Sequence, residues 1–482
     1  MTSTKRIGFF LGPLLFILLY FFFPVDLISP DAPKVLALAA WMLTWWITEA
    51  APIPVTAFLP MVGFPLLGVM KISQSTAPYA NPVIFLFMGG FMIALALQKH
   101  KLHERIALQL IKLTGTSGNG IILGFMLASA LLSMWISNTA TAMMMLPIAM
   151  SVVNLLLQDA GSIQNLGNKG DRNFAVGLML SIGYACSLGG MATIIGTPPN
   201  VVFVGLLNEF YGIKISFAEW FIVGFPVAAL LVFANYYLVT RLIFPNNLEK
   251  IKGSDELIAS RLKELGSIRK EEKLVLTIFS ITAFFWMFQQ PINSVLNLDL
   301  LNDTTVAMCG GLLMFIVPIN FSQGEFVLHW SDTEKLAWGI LFLFGGGLCL
   351  AEGLDKSGII PAVGKWIAGH GTFTIWVTLL VIVISVYLSE LMSNVALVNV
   401  FIPVVFGISN VMEVNPVLMG LPVTLGASIA LMFPIATPPN AIVFSSGYIR
   451  IQDMVRAGFW LNIISILIIW GISITVVNWL FL

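Results

Sequence analysis

Two short segments carry the same polar side chains at the same spacing. Residues 137–147 read SNTATAMMMLP and residues 393–403 read SNVALVNVFIP, so each Ser-Asn pair is followed by a proline nine residues after the asparagine. Serine, threonine and asparagine side chains provide neutral oxygens together with O–H or N–H donors. The oxygens can ligate a hard cation such as sodium, and the donors can hold a carboxylate. The recurrence therefore predicts a polar binding site that is built twice.

A second repeated element interrupts an apolar run in each half of the chain. It reads GTPPN at residues 196–200 and ATPPN at residues 436–440. Two consecutive prolines remove two backbone N–H donors and break a helix, which frees carbonyl groups of the preceding turn. Free carbonyls at a helix break can coordinate sodium. The alternative interpretation is a structural kink without a ligand.

A single Ser-Asn pair has an alternative interpretation as a helix N-cap, a common role of both residue types. Two pairs at repeat-equivalent positions favour a binding site, because repeat-built transporters bind substrate where broken helices meet. The candidates for a titratable group within the membrane are Glu49, Glu352 and Glu390. Glu390 precedes Ser393 by three residues. We interpret it as an acceptor for nearby N–H groups, with a proton site as the alternative.

No residue pattern indicates catalysis. The four histidines do not cluster, and the sequence shows no nucleophile–base pair and no metal-ligand spacing. The three cysteines are scattered in apolar segments, which indicates neither a disulfide framework nor a metal site. The formal net charge is zero, so nothing suggests a nucleic-acid partner. We therefore do not expect an enzyme.

The elements that must position these motifs follow from the composition. Of the 482 residues, 58% are hydrophobic and only 10% are charged, whereas soluble domains carry about 25% charged residues. Several apolar runs approach or reach the roughly 20 residues that a helix needs to cross a bilayer. The run at 8–23 lacks a small-residue cleavage site, so we expect a retained first helix rather than a signal peptide. The chain is predicted to be an all-α polytopic membrane protein with about 11 transmembrane helices.

Three features recur in the same order along the chain, which indicates an internal repeat. FLFMGGF at 85–91 matches FLFGGGL at 342–348, and the Ser-Asn and Thr-Pro-Pro-Asn motifs follow in both halves. Each Ser-Asn motif lies between two apolar segments that are too short to span a bilayer separately, which predicts two re-entrant helical hairpins. An odd number of spans between equivalent points makes the repeats inverted, an arrangement typical of secondary transporters.

The predicted organisation is two inverted repeats joined by a charged cytoplasmic linker helix. Its bounds are a first repeat at 1–245 (hairpin about 120–157, broken helix about 173–208), a linker at 246–272, and a second repeat at 273–482 (hairpin about 373–412, broken helix about 416–447). We expect an insertion in the first repeat around 159–172, because the third feature recurs at a shorter offset than the other two.

Basic residues are concentrated in the segments around 99–112 and 250–273. If the N-terminus lies in the cytoplasm and both hairpins re-enter, most of the 24 basic residues face the cytoplasm, in agreement with the positive-inside rule. We therefore expect a multi-pass protein of the cell (inner) membrane with a cytoplasmic N-terminus and an extracytoplasmic C-terminus.

Together the motifs resemble the divalent anion/sodium symporter (DASS) family, which contains dicarboxylate and citrate carriers. The residues that carry the resemblance are ITEAAPIPVTAFLP at 47–60, both Ser-Asn segments, GTPPN and ATPPNAIVFSSG, and they extend over nearly the whole chain. The resemblance implies an eleven-helix protomer with two opposed hairpins, and scaffold and transport domains interleaved across both repeats. It also implies a homodimer and an elevator motion.

The resemblance further implies the residues of three sites. The first sodium site is implied to use Ser133, Ser137, Asn138 and Gly196, and the second to use Ser389, Asn394, Ala436 and the carbonyl of Met392. The substrate site is implied to comprise Asn138, Thr139, Ser393, Asn394 and Val395, with Thr197, Pro198, Thr437 and Pro438 beside them. Threonine is the commoner residue of the family at the position of Val395, so the second tip lacks one hydroxyl donor. The identity of the substrate stays open for that reason.

We expect a secondary active transporter that imports a small C4-dicarboxylate, such as succinate or malate, together with sodium. The alternatives within this class are a sodium-independent dicarboxylate exchanger and a carrier of citrate or sulfate. Outside it, an anion channel should show one continuous polar pore, whereas the polar residues of this chain form two mirrored clusters. A receptor would be expected to carry a soluble signalling domain.

Overall fold

The structure is a computed structural model that describes residues 3–24, 28–157, 169–297, 300–362 and 374–481. Over these residues the chain is almost entirely helical. Nine of the described helices are long and apolar enough to cross a membrane, and five shorter apolar helical stretches accompany them. A helix satisfies its own backbone hydrogen bonds, which is the condition for a segment in lipid. The prediction of an all-α polytopic membrane protein is confirmed.

The first half of the chain alternates long apolar helices with shorter ones. Its helices are α1 (Ser3–Phe22), α2 (Ala32–Thr48), α3 (Ile53–Thr56), α4 (Leu59–Leu66), α5 (Ile72–Thr76), α6 (Pro82–Lys99), α7 (Leu102–Leu113), α8 (Gly118–Ser133), α9 (Asn138–Leu157), α10 (Lys169–Gly190), α11 (Pro198–Tyr211) and α12 (Phe217–Tyr237). Short 3₁₀ turns lie at Ala77–Ala80 and Ile194–Gly196, and a π-helical turn at Leu238–Ile243 extends α12.

The second half follows with the same kinds of element. Its helices are α13 (Ser254–Glu264), α14 (Lys270–Leu296), α15 (Asp303–Ile316), α16 (Trp338–Lys356), α17 (Thr374–Ser389), α18 (Asn394–Val411), α19 (Pro416–Ala427), α20 (Pro438–Phe444), α21 (Ile451–Ile472) and α22 (Asn478–Phe481). The strands β1 (Pro318–Asn320) and β2 (Glu325–Phe326) pair antiparallel before a 3₁₀ turn at Trp330–Lys335, and a π-helical turn at Ser473–Val477 precedes α22.

Two helical hairpins face the interior of the protein. The arms α8 and α9 meet at a non-helical tip, as do the arms α17 and α18. The first arms have 16 residues each, which is about 24 Å of helix and less than the thickness of the hydrocarbon core. The predicted start of the second hairpin at 373 and residues 159–168 of the predicted insertion lie outside the described residues.

Glycines let the helices α6 and α16 pack closely against helices of the opposite half. A Cβ at Gly89 of α6 would lie 2.5 Å from the carbonyl oxygen of Ala307 in α15. A Cβ at Gly346 of α16 would lie 2.7 Å from Cβ of Ala57, between α3 and α4. Both glycines are therefore required by close backbone approach. They join the two halves beside the hairpin tips.

A buried ion pair joins α7 to the segment that links the two halves. Arg105 Nε donates to Glu272 Oε2 over 2.6 Å, and the same guanidinium donates to the carbonyls of Leu265 and Gly266 over 3.1 and 2.9 Å. Those carbonyls follow the end of α13, where backbone acceptors are left without helical partners. Arg105 therefore caps α13 and pairs with the first turn of α14 in one arrangement.

Candidate functional site

The Ser-Asn motifs form the turns between the hairpin arms. In the first hairpin α8 ends at Ser133 and α9 begins at Asn138; in the second, α17 ends at Ser389 and α18 begins at Asn394. The Ser137 hydroxyl accepts a hydrogen bond from the backbone N–H of Ala140 over 3.3 Å. Ser393 makes no side-chain cap of this kind. The N-cap interpretation therefore describes only the first tip.

The Thr-Pro-Pro-Asn motifs break two helices at corresponding places. Thr197 and Thr437 are extended, with φ of −145° and −139°, and a new helix begins at the proline that follows each of them. Proline suits the first helical position because its missing N–H has no partner there in any case. Each break thus presents a new helix N-terminus to the interior.

The asparagine that closes each motif binds the carbonyls of the broken turn. Asn200 Nδ2 donates to the carbonyls of Thr193 and Gly190 over 2.8 and 3.3 Å. Asn440 Nδ2 donates to the carbonyls of Ala430 and Phe433 over 2.8 and 3.1 Å. Part of the carbonyl set that we expected to be free for a cation is therefore already paired. This role of Asn200 and Asn440 was not predicted, although the recurrence of asparagine after both Pro-Pro pairs is a signal in the sequence.

Both tips and both breaks line one cavity of about 820 Å³. Its lining includes every residue predicted for the substrate site: Asn138, Thr139, Thr197, Pro198, Ser393, Asn394, Val395, Thr437 and Pro438. The helices α9, α11, α18 and α20 all begin at this lining. Helix N-termini carry partial positive charge, and α9 and α18 also present backbone N–H groups, whereas the first two residues of α11 and α20 are prolines without an N–H. The cavity therefore collects four anion-attracting helix ends.

Two of the four residues predicted for the first sodium site, Asn138 and Gly196, bring oxygens together at the first tip. A Cβ at Gly190 would lie 2.7 Å from Asn138 Oδ1 and 3.1 Å from the carbonyl oxygen of Gly196, so these oxygens lie close together. Asn138 Oδ1 is buried and has no hydrogen-bond partner in the described part of the chain. Ser133 Oγ, also buried, lies beside the Cys186 thiol and likewise has no oxygen or nitrogen partner there. Buried oxygens without partners are rare and need an explanation.

The residues predicted for the second sodium site lie behind the second tip. Met392, Asn394 and Ala436 line the cavity, and Asn394 Oδ1 is buried without a partner among the described residues, as Asn138 Oδ1 is. Ser389 is fully buried and differs from Ser133, because its hydroxyl donates to the carbonyls of Val386 and Ile429 over 2.7 and 3.0 Å. The hydroxyl oxygen of Ser389 keeps its acceptor capacity while its proton is committed.

Glu390 holds the non-helical segment that precedes the second break. Its carboxylate accepts hydrogen bonds from the backbone N–H groups of Leu431 and Met432 over 2.7 and 3.0 Å, and from Asn462 Nδ2 over 2.8 Å. The side chain is 2% exposed. This geometry is that of a hydrogen-bond acceptor, the first of our two interpretations.

Among the described residues that line the cavity there is no lysine, arginine or histidine, and the charged residues are Glu49 and Glu390. Glu49 ends α2 in the left-handed conformation and pairs with Lys5 over 3.0 Å. Pro54 and the start of α16 lie at the same end of the cavity. Residues 47–54 were not predicted to belong to the site, although this segment is part of the motif at 47–60. No group of three or more histidine, cysteine or acidic residues in the described chain could hold a metal ion.

A family model described as "Sodium:sulfate symporter transmembrane region" matches residues 5–482. The chain belongs to this symporter family. It is 37% identical over 470 residues to the sodium-dependent dicarboxylate transporter SdcS of Staphylococcus saprophyticus, covering 96% of this chain and 90% of that protein. It is 39% identical over 474 residues to SdcS of Staphylococcus aureus strain USA300, covering 97% and 90%. The predicted family is confirmed, and membership indicates a transporter rather than an enzyme.

The crystal structure of the Alcanivorax borkumensis YdaH transporter has the same fold as this symporter-family chain. The two superpose with a TM-score of 0.58 over 86% of this chain and 89% of that chain, at 12% sequence identity. At this identity the similarity supports the helical membrane architecture alone.

Proposed function

We propose that the protein is a secondary active transporter that imports a C4-dicarboxylate together with sodium through an elevator-type mechanism. The two SdcS relatives are sodium-dependent dicarboxylate transporters, and the family description names sodium as the coupled ion. The two mirrored tips and breaks around one cavity support the proposal from the side of the structure.

The charge of the cavity is the observation that carries the proposal. A dicarboxylate brings two negative charges into a lining whose described residues include no cationic side chain and two carboxylates. Each helix N-terminus supplies roughly half an elementary charge, so four of them offset about two charges at most. Glu49 is paired with Lys5, but no cationic side chain in the described part of the chain pairs with Glu390, whose partners are N–H groups. Bound sodium ions would supply the missing positive charge, which makes binding of ion and substrate mutually dependent.

The proposed roles follow from the positions of the side chains. The amide oxygens of Asn138 and Asn394, which lack partners, face the two cations, and the amide N–H groups can donate to the substrate. Thr139 adds a hydroxyl donor at the first tip. Val395 places an apolar surface at the equivalent point of the second tip. The carboxylate at the second tip therefore has one hydrogen-bond donor fewer than the carboxylate at the first tip.

We propose that the cavity opens to the cytoplasm in this conformation. Glu49 and the start of α16 line the cavity, and Glu49 pairs with Lys5 near the N-terminus, the end of the chain that we propose to be cytoplasmic. Two mirrored polar clusters around one cavity fit alternating access better than a continuous polar channel.

The moving part is proposed to consist of the hairpins and the broken helices, because these elements enclose the substrate from both tips and both breaks. The helices α6 and α16, which are joined to α15 and to the α3–α4 segment through Gly89 and Gly346, are proposed to belong to the static scaffold. We further propose that two protomers associate through their scaffolds.

Uptake of labelled succinate into proteoliposomes tests the function. We expect accumulation with an inward sodium gradient and background uptake with potassium or with dissipated sodium. Uptake that requires internal dicarboxylate and ignores sodium would support an exchanger instead. Competition by malate, citrate and sulfate under the same gradient distinguishes the substrate classes.

A further inference from the structure

Each half of the chain carries two adjacent glycines on the helix that faces the hairpins and broken helices. They are Gly89 and Gly90 on α6, and Gly346 and Gly347 on α16, at equivalent points of FLFMGGF and FLFGGGL. The first glycine of each pair has corresponding surroundings, since Gly89 packs on Ala307 and Gly346 packs on Ala57. This contact is the same in both halves, as a static interface between inverted repeats should be.

The second glycine of each pair breaks that symmetry. Gly90 faces Ile195, whose Cδ1 would lie 3.4 Å from a Cβ at position 90. Ile195 immediately precedes GTPPN and is 8% exposed. Its counterpart Ile435, immediately before ATPPN, is 88% exposed and lines the cavity. A large apolar side chain that is buried in one half is therefore in contact with water in the other.

Gly347 is covered by a hairpin residue instead. A Cβ at position 347 would overlap the side-chain amide of Asn399 in α18. Asn399 is fully buried, and neither its amide oxygen nor its amide nitrogen has a hydrogen-bond partner within the described chain. Its counterpart, five residues after the asparagine of the first tip, is Met143, which is 56% exposed. Polarity and burial are thus reversed, with the amide buried and the thioether exposed.

We infer that Gly90 and Gly347 are two docking positions that exchange their occupants during transport, an inference that rests on the proposed alternating-access function. In the present conformation Ile195 lies on Gly90 and Asn399 lies on Gly347. In the oppositely open conformation Met143 lies on Gly90 and Ile435 lies on Gly347. Alternating access in inverted repeats is a movement of one repeat or bundle against the other around the site, and in this movement each half takes up the packing of the other.

The exchange has a physical basis, because each of the two conformations contains unfavourable contacts that the other one relieves. The present conformation exposes Ile435 in the cavity and buries the Asn399 amide without partners among the described residues, and both of these arrangements are unfavourable. The exchange buries Ile435 and Met143 and exposes the Asn399 amide, while it also exposes Ile195. Packed interfaces of this kind have two discrete arrangements rather than a continuum. Glycine at both positions allows either occupant to fit.

The two glycines provide matched variants whose predicted effects differ. Gly347→Ala places a methyl group inside the Asn399 amide and so disfavours the present conformation, but it accommodates an isoleucine as Gly90 does. Gly90→Ala meets Ile195 at an ordinary contact distance and disfavours only the other conformation. Overlap with a packed side chain typically shifts such an equilibrium by about tenfold. Asn399→Ala combined with Gly347→Ala removes the overlap.

Cysteine accessibility in the purified protein measures the exchange without any substrate. The background is Cys309→Ser, because Cys309 is exposed whereas Cys186 and Cys349 are buried. A single cysteine at Ile435 or at Ile195 is then labelled with N-ethylmaleimide. We expect Gly347→Ala to slow labelling at 435 and accelerate it at 195 by about tenfold each. Gly90→Ala should leave both rates unchanged or shift them the opposite way, and the double variant should restore them.

Folding of each variant is checked by size-exclusion profile and melting temperature. The inference is overturned if folded Gly347→Ala leaves both labelling rates unchanged or moves them in the same direction. If Gly347→Ala does not fold, the inference is tested with the double variant and with Gly90→Ala. Equal labelling rates at positions 435 and 195 in Gly90→Ala would contradict the inference. Reciprocal labelling without sodium-driven succinate uptake would leave the exchange standing and remove the proposed substrate. Sodium-driven succinate uptake without reciprocal labelling would support the proposed substrate and overturn the exchange.

Discussion

Replacement of Glu390 by glutamine changes one atom of a side chain that organises the approach to the second break. The carboxylate oxygen Oε1 accepts from Leu431 N, Met432 N and Asn462 Nδ2, and Oε2 also accepts from Met432 N over 3.0 Å. All three groups are donors. A glutamine has one acceptor oxygen and one NH₂ group, so that in either orientation its NH₂ faces a donor.

The free-energy cost of Glu390→Gln follows from the number and kind of these hydrogen bonds. A hydrogen bond to a charged group contributes about 1.5–3 kcal/mol and a neutral one about 0.5–1.5 kcal/mol. Loss of the charge therefore costs about 1 kcal/mol for each of three donors, roughly 3 kcal/mol in all. The segment that Glu390 holds leads to Ala436 in the proposed second sodium site. If half or more of this free energy is expressed in ion binding, sodium affinity falls by about 10- to 100-fold.

The assay is the sodium concentration dependence of succinate uptake, with melting temperature in sodium and in potassium as a second measurement. Glu49→Gln is the matched control, because Glu49 also lines the cavity but its pair with Lys5 is 60% exposed on the glutamate side and contributes about 0–1 kcal/mol. We expect a higher sodium requirement and a smaller sodium-dependent rise in melting temperature for Glu390→Gln only. Unchanged sodium dependence together with loss of the pH dependence of uptake would refute the acceptor interpretation and favour a proton site.

Three further predictions concern the tips and the linker. Asn138→Ala and Asn394→Ala should each abolish sodium-driven uptake in proteoliposomes while the size-exclusion profile stays that of the parent; parental transport rates in both would remove the proposed site. Val395→Thr should tighten dicarboxylate binding by about 3- to 100-fold if the new hydroxyl reaches a carboxylate, as measured by competition with succinate, malate, citrate and sulfate; unchanged affinity for all four would show that this side chain does not face the substrate. Arg105→Ala should destabilise the protein by about 1.5–3 kcal/mol, because Glu272 loses the shorter of its two ion pairs and keeps only the one with Arg269, and Arg105→Ala with Glu272→Ala should cost less; equal melting of parent and single variant in detergent would contradict this.

Much of the fold could be predicted because the responsible physics is local. A chain in lipid must satisfy its backbone within each helix, so long apolar runs predict helices without knowledge of their neighbours. Pro198 and Pro438 lack the N–H that a continuing helix needs, and helices begin at both. The hairpin tips could be located for a similar reason. A polar Ser-Asn pair between two apolar arms that are too short to span the bilayer is expected at the turn that joins the arms.

The sequence by itself determined the helices, the repeated motifs, the tips and the breaks. It also indicated which side-chain and backbone oxygens could ligate a common cation. Only the tertiary structure decided to which carbonyls Asn200 and Asn440 donate. It also decided that Ile195 is buried while Ile435 is exposed, although each stands before the same Thr-Pro-Pro-Asn sequence. Equivalent sequences have equivalent local preferences, so this difference arises from packing between distant segments. A transporter must adopt more than one such packing with the same chain.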